Sequence, residues 1–270
     1  MNGNANVSQK LSLITAYRGK YRQAHLKVQL LWLERIRKEQ EFTDFEVVVV
    51  EGDAEENGRA IASQYDWVQF RHIPMSNLFH KSLLLNGAAA IAKGEYLIPF
   101  DVDLLPAEGV LQLHLKLALN SPYCLVSGFR VQLAESPSTE QPLLSSEALL
   151  AAMDIEDNSL LGPEDNPRAL RKYLIDRQRF GVCPCYPKQL YDSLGGYDEA
   201  YIGRGPEDQD LIERACASGL TLIRSYDLLY FHMPHIESEG WDDPDLLAAN
   251  RARFAQRRRD KWASIKTQNQ

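Results

Sequence analysis

Apolar positions change their period several times along the chain, and each change marks an element. From Lys10 to Tyr17 they alternate, with Leu11 and Leu13 on one face, and the pattern breaks at Tyr17-Arg-Gly-Lys20, which predicts a strand and a turn. From about Tyr21 to Lys38, Leu26, Leu30, Leu33 and Ile36 recur every three or four residues, the stripe of a helix lying on a sheet. Phe45 to Val50 is a run of branched apolar residues ending in Glu51-Gly-Asp53, as in a strand buried on both faces with acids at its tip. A short strand is expected over Trp67 to Ile73. A helix is expected over Asn77 to Ala92, with Asn77 as its cap and Lys93-Gly94 as its stop. Tyr96 to Phe100 repeats the two-faced strand pattern and runs directly into Asp101 and Asp103.

A helix from about Glu108 to Leu119 and a strand from Tyr123 to Val131 follow, and then the pattern is lost. Gln132 to Pro167 contains no Lys or Arg and gathers acids and prolines, so it reads as an insertion or flap with one short helix, Ser145 to Met153. Basic residues return at Arg168, Arg171, Lys172, Arg177 and Arg179, ahead of a strand at Phe180 to Tyr186. Glycines crowd Leu194 to Gly205, and Glu207, Asp208 and Asp210 open a helix that Gly219 stops. A short strand at Thr221 to Arg224 leads through Tyr226 to Tyr230-Phe-His-Met-Pro-His235, and a helix from about Asp245 to Ser264 carries six cations between Arg251 and Lys261. Strands alternating with helices predict an α/β domain with a mixed, mostly parallel central sheet flanked by helices.

The chemistry gathers at strand ends, where ligands bind in open α/β sheets. Strand alternation points both carboxylates one way and Val102 inward, so that one divalent cation or its hydration shell can meet both; the alternative is an Asx turn that merely ends the strand. Arg18, Lys20 and Arg22 at a helix N-terminus make either a phosphate seat or a solvated basic turn, and Lys81 lies within reach of a phosphate. His232 and His235 converge on one metal if the backbone turns at Pro234, and with a carboxylate and phosphate oxygens they suit Mn²⁺ better than Ca²⁺. His25, His72, His80 and His114 read as surface or internally satisfied histidines. The helix dipole favours an ionised Asp208, which can accept a proton from a bound hydroxyl.

Composition narrows the field. The 270 residues are 44% hydrophobic and 25% charged, ordinary for a globular protein, and a net charge of -7 disfavours a nucleic-acid surface. Four cysteines lack zinc-type spacing, and Cys183-Pro-Cys185 is too tight for the usual metal pair, so reduced thiols in a cytosolic protein are expected. Met1 to Gln9 is polar, and no segment approaches 18 uninterrupted apolar residues, so neither a standard secretion signal nor a membrane span is expected. The basic closing helix reads as a solvated face or as a peripheral dock on anionic lipid at the inner face of a membrane.

Several stretches, in this order, resemble nucleotide-sugar glycosyltransferases of the GT-A (Rossmann-like) fold. The likeness is greatest to the β-1,4-galactosyltransferase-like group and to bacterial capsule-type family 2 enzymes. Ile14-Thr-Ala-Tyr-Arg-Gly-Lys20 looks like the first strand and nucleotide loop, Phe79-His-Lys-Ser-Leu-Leu-Leu-Asn86 is similar to the donor helix, and Asp101-Val-Asp103 matches the Asp-x-Asp motif. Gly203-Arg-Gly-Pro-Glu-Asp-Gln-Asp210 aligns with the acid-rich acceptor segment, although Arg204 stands where the galactosyltransferases carry an aromatic residue.

The resemblance implies a metal-dependent inverting transferase using a nucleoside diphosphate sugar, most simply a UDP-sugar, and a glycan or lipid-linked acceptor in surface polysaccharide synthesis. A retaining transferase of the same fold, or a degenerate carbohydrate- or nucleotide-binding protein, is the alternative. It places Tyr17, Arg18, Asp53, Phe79, Lys81, Asp101 and Asp103 at the donor, and Gly205, Glu207, Asp208 and Asp210 at the acceptor. Asp208 is then the base, and Asp103, His232 and His235 hold Mn²⁺ or Mg²⁺. One domain is expected over 1–270: a nucleotide-sugar half (1–125), an insertion or flap (126–179), an acceptor and catalytic half (180–245) and the basic helix (246–270).

Overall fold

The computed structural model describes residues 10–40, 42–76, 78–137, 146–151, 182–236 and 240–268. Asn77, the cations from Arg168 to Arg179, much of the acidic window, and the side chains of Lys20 and Lys261 lie outside the described residues.

In chain order the elements are β1 (Leu11–Tyr17), α1 (Gly19–Glu39), β2 (Phe45–Asp53), α2 (Arg59–Ala62), β3 (Val68–Pro74), α3 (Lys81–Ile91), β4 (Tyr96–Pro99), β5 (Leu104–Pro106), α4 (Val110–Asn120), β6 (Cys124–Gln132), α5 (Ser146–Ala151), β7 (Val182–Pro187), α6 (Lys188–Ser193), α7 (Glu207–Ala217), β8 (Thr221–His232) and α8 (Pro244–Gln268). They build one eight-stranded sheet in the order β3-β2-β1-β4-β7-β6-β8-β5. The β3-β2-β1-β4 half is parallel throughout; in the other half β7 and β5 run antiparallel to their neighbours while β6 and β8 pair in parallel. This is the mixed sheet of the GT-A fold.

Every residue of β1 and β2 is buried, as two-faced strands require. Alternate positions serve opposite layers: Leu13, Val47 and Val49 pack with Leu30 and Leu33 of α1, whereas Ile14, Val48 and Val50 pack with Leu84, Leu85 and Ala88 of α3. A shift of one residue in either strand would exchange the two sets, so burial on both sides fixes the register. Because β1 pairs with β2 on one side and β4 on the other, the sheet has a switch point between β1 and β4. Arg18 and Asp101 follow these two strands.

Local structure departs from the sequence pattern in four places that matter for the site. The helix expected from Asn77 begins at Lys81, because His80 caps it: Leu83 N–H donates to His80 Nδ1 at 3.2 Å. Strand β4 stops at Pro99, and Asp101 to Asp103 form a turn in which Leu104 N–H donates to Asp101 O at 3.0 Å. Strand alternation therefore does not orient the two aspartates, and the turn sets their directions instead. The strand expected at Thr221 to Arg224 runs on to His232; a register shift against β6 between Ser127 and Phe129 interrupts its apolar pattern. Its far end pairs with β5, which at three residues is too short to show a period.

The closing helix is not simply a solvated basic face. Arg253 and Arg257 pair with Asp198 at 2.7 and 2.9 Å, Arg257 also pairs with Asp210, and Arg258 faces Glu213 at 3.6 Å. Asn250, buried, donates to the carbonyls of Ile202 and Arg204 at 2.8 and 2.9 Å. The helix thus braces the glycine-rich loop and α7 from behind.

Candidate active site

The ends of β1, β4, β6 and β8 and the start of α3 enclose a cleft of about 200 Å³. It is lined by Arg18, Arg22, Phe79, Lys81, Asp101, Asp103, Arg130, His232, His235 and Trp241. That volume accommodates the reacting end of a substrate and falls below the roughly 300–1,000 Å³ of a pocket that encloses a whole ligand. Two clusters occupy its floor.

The first cluster is Asp103, His232 and His235, whose donor atoms all lie within 4.8 Å of one another. The turn after β4 buries Asp103, and β8 brings the histidines to it because Leu104 pairs with His232 and Met233 N–H donates to Asp103 O at 2.8 Å. His235 Nε2 lies 3.0 Å from Asp103 Oδ2. Arg22 lies 2.8 Å from His235 Nδ1, and a guanidinium only donates, so Nδ1 accepts and the ring proton sits on Nε2, directed at Asp103. His232 Nε2 is 3.5 Å from Asp103 Oδ1, too far for a good hydrogen bond, and that oxygen has no hydrogen-bond partner. Burial pushes the His232 imidazole down to about 4, so it is neutral near pH 7. Burial alone would raise the Asp103 carboxyl, but the hydrogen bond from His235 and the adjacent positive charge overcome it and hold the group at about 2.

An ionised carboxylate with an orphaned oxygen beside a neutral imidazole is a donor set short of a cation, and one carboxylate with two imidazoles fits a divalent transition metal. Coordination through His235 Nε2 requires the other tautomer, so Arg22 has to release that ring.

The second cluster is built on Lys81 in the first turn of α3. Its ammonium lies 3.2 Å from Asp101, 3.1 Å from Asp208 and 3.8 Å from Glu207, bridging the two halves of the sheet. Burial disfavours that charge, yet the three carboxylates raise Lys81 well above its ordinary value. Asp208, half-exposed at the start of α7, also accepts from the Tyr197 hydroxyl at 2.7 Å. Tyr197 is fixed by Asn86 of α3, which accepts from its backbone N–H and donates to its carbonyl. Glu207 is buried; burial first, and the charge of Asp208 second, push its carboxyl up to about 8.

Glu207 therefore keeps its proton at neutral pH beside Lys81, Asp208 and Asp101. Its folded value is raised, so its contribution to stability is complete below about 4.5 and is lost as pH rises through about 8. Glu207→Gln, which is neutral throughout, is expected to remove up to about 1.4 kcal/mol per pH unit of downward slope in that window. His232, lowered on folding, contributes the opposite slope between about 4 and 6.5, and this cancels in the comparison of wild type with variant. Urea denaturation at pH 5, 6, 7 and 8 measures the difference, and parallel curves would mean that Glu207 is ionised in the folded protein.

The structure lines the cleft with Arg18, Phe79, Lys81, Asp101, Asp103, His232 and His235 and ties Glu207 and Asp208 to it through Lys81, but it turns the two aspartates of the Asp-x-Asp motif to different partners. Asp101 turns to Lys81 and Asp103 to the histidines. Tyr17 and Asp53 are buried at the tips of β1 and β2 and do not line the cleft. Asp210 is buried on another face of α7, paired with Arg214 and Arg257, and a Cβ at Gly205 would press on Asn250 at 2.9 Å. Of the residues not anticipated as site members, Arg130 is a lone cation in an otherwise uncharged strand and Trp241 a lone aromatic among acids, which are signals the sequence did carry. Tyr197 carried none. His25, His72, His80 and His114 each have a hydrogen-bond partner, as expected.

The comparisons agree with this division. No curated protein matches the chain in sequence. Crystal structures of S. aureus TarS 1-349 and of S. aureus TarS superpose with a TM-score of 0.57 in each case, at 16% and 15% identity. Both superpositions take in 83% of this chain, which spans 60% of the first protein's length and 37% of the second's. At that identity they show a shared fold. A model described as the N-terminal domain of galactosyltransferase matches residues 170–236, which hold Glu207, Asp208, His232 and His235. The model for glycosyl transferase family 2 matches residues 33–176, which hold Lys81, Asp101 and Asp103. That match takes in more than half of the chain, and with the site lying across both matched segments the protein belongs to glycosyl transferase family 2.

Proposed function

We propose that this glycosyltransferase moves a sugar from a nucleoside diphosphate sugar, a UDP-sugar, to a hydroxyl of a glycan or lipid-linked acceptor, with inversion at the anomeric carbon. The observation that carries the reading is a metal-type donor set in the cleft and a half-exposed carboxylate, Asp208, tied to the cleft through Lys81. Asp103, His232 and His235 would hold Mn²⁺ or Mg²⁺, which when bound supplies Lewis-acid charge toward the diphosphate. Arg18, Lys81 and Arg130 add fixed positive charge along the same cleft. Asp101 orients the donor through Lys81. Asp208 accepts the proton of the attacking hydroxyl, while protonated Glu207 donates a hydrogen bond to the acceptor or to the loop.

Surface polysaccharide synthesis in the cytoplasm is the setting that the resemblance favours. No helix among the described residues is long and apolar enough to cross a membrane. A lipid dock on the closing helix has little charge behind it, because among its described cations only Arg251 and Arg259 lack an acid partner.

The test is calorimetric binding of UDP, GDP, CMP and dTDP sugars, each with Mn²⁺ and with EDTA. One nucleotide class should bind, and EDTA should weaken it at least tenfold. Equal binding with EDTA would remove the metal from the donor site, and no binding by the folded protein would overturn the donor-site reading.

A further inference from the structure

The stretch from Gly203 to Asp210 that leads into the acid cluster contains no aromatic side chain, and Arg204 stands in it. The structure ties that arginine to the loop after β8. Arg204 Nη1 donates to Asp242 Oδ1 at 2.6 Å, and its backbone N–H donates to Trp241 O at 3.0 Å. Trp241 is thereby held at the cleft beside Phe79, with ring centroids 5.9 Å apart and planes tilted by 55°. Both rings line the cleft together with Lys81 and Asp101. Phe79 lies two residues before Lys81, whose ammonium reaches Asp208, so this aromatic wall stands on the side of the carboxylate cluster. The side chains of Tyr17 and Asp53 are not part of it.

We propose that Trp241 is a specificity-determining residue that packs against a sugar ring at the point of transfer, and that the Arg204–Asp242 pair is the clamp that positions it. The inference rests on the glycosyltransferase reading above and adds to it where the sugar is recognised. A pyranose presents a C–H face and a rim of hydroxyls. Two tilted aromatic rings with an ammonium and a carboxylate at their foot offer the matching apolar surface and polar partners. Arg204 and Asp242 have side chains 54% and 48% exposed, so their pair contributes little to folding stability. Its consequence is positional: it joins the loop that carries the acids to the loop that carries the ring.

The experiment is a fluorescence and calorimetric titration of the full chain with Mn²⁺, using UDP alone, a panel of UDP-hexoses, and methyl glycosides added to the UDP complex. Wild type is expected to bind one UDP-hexose, or one methyl glycoside, at least tenfold more tightly than the rest of its panel. Trp241→Ala should erase that preference while UDP affinity stays within twofold and the melting temperature is unchanged. Trp241→Phe should keep part of the preference, and Asp242→Asn should lose part of it. Loss in the UDP-hexose arm assigns the ring to the donor sugar, and loss in the methyl glycoside arm assigns it to the acceptor. A fall in UDP affinity equal to that for UDP-hexoses would assign the ring to the nucleotide and overturn the proposal, as would unchanged preference in both arms. Wild type that binds no UDP compound would instead bring down the donor-site reading, and this inference with it.

Discussion

Asp208→Asn is expected to lower kcat by roughly 10²–10⁴-fold, the usual contribution of a positioned general base, while donor affinity stays within a few-fold of wild type. The amide oxygen can still accept from the Tyr197 hydroxyl, which lies 2.7 Å from the native carboxylate, so α7 keeps its place. What asparagine cannot do is take a proton. Its amide also loses the charge that faces Lys81 at 3.1 Å, but the ammonium retains Asp101 at 3.2 Å and so is not left alone in the cleft. Steady-state transfer assays with calorimetry on the same preparation separate turnover from binding. A variant with near wild-type turnover would exclude Asp208 as the base, and product of retained anomeric configuration would place the enzyme with the retaining transferases. A protein that only binds would have no activity to lose.

Asp103→Asn is expected to weaken Mn²⁺ binding and, with EDTA on the wild type as the parallel treatment, to reduce transfer by about 10³-fold or more. A Lewis acid is worth several kcal/mol of transition-state stabilisation, and about 1.4 kcal/mol corresponds to tenfold in rate. Asp101→Asn separates the two members of the motif. Its carboxylate faces Lys81 and stands outside the set formed by Asp103, His232 and His235. That variant should keep Mn²⁺ affinity within a few-fold while losing turnover through a misplaced Lys81. Calorimetric titration of Mn²⁺ into the three proteins decides the matter, because equal loss of metal in both variants would return Asp101 to the metal set.

The parallel half of the sheet was legible because its strands are buried on both faces and leave nearly continuous apolar runs, as Phe45 to Val50 does. Asp101, Asp103, Lys81 and Asp208 were legible for a related reason: strand ends and helix starts are where open α/β sheets place ligands, and those boundaries can be read from period changes. The alternation argument for Asp101 and Asp103 did not hold, since it assumed strand geometry beyond Pro99, where the chain has already turned. Asp210 read as an acid of the same group as Asp208. Helical geometry nonetheless separates positions two apart, and Asp210 meets Arg214 and Arg257 on another face.

What the sequence determined by itself was therefore local: the alternation of strands and helices, and the residue types waiting at their ends. Which of those residues meet was decided by tertiary structure alone. His232 reaches Asp103 because β8 pairs with β5 across more than a hundred residues, and Lys81 reaches Asp208 because α3 and α7 pack on the same layer of the sheet. The clamp from Arg204 to Asp242 joins two polar loops whose sequences show no period. Periodicity reports how one segment is buried, while a charge-to-charge contact depends on the relative position of two segments, and only the packed sheet supplies that.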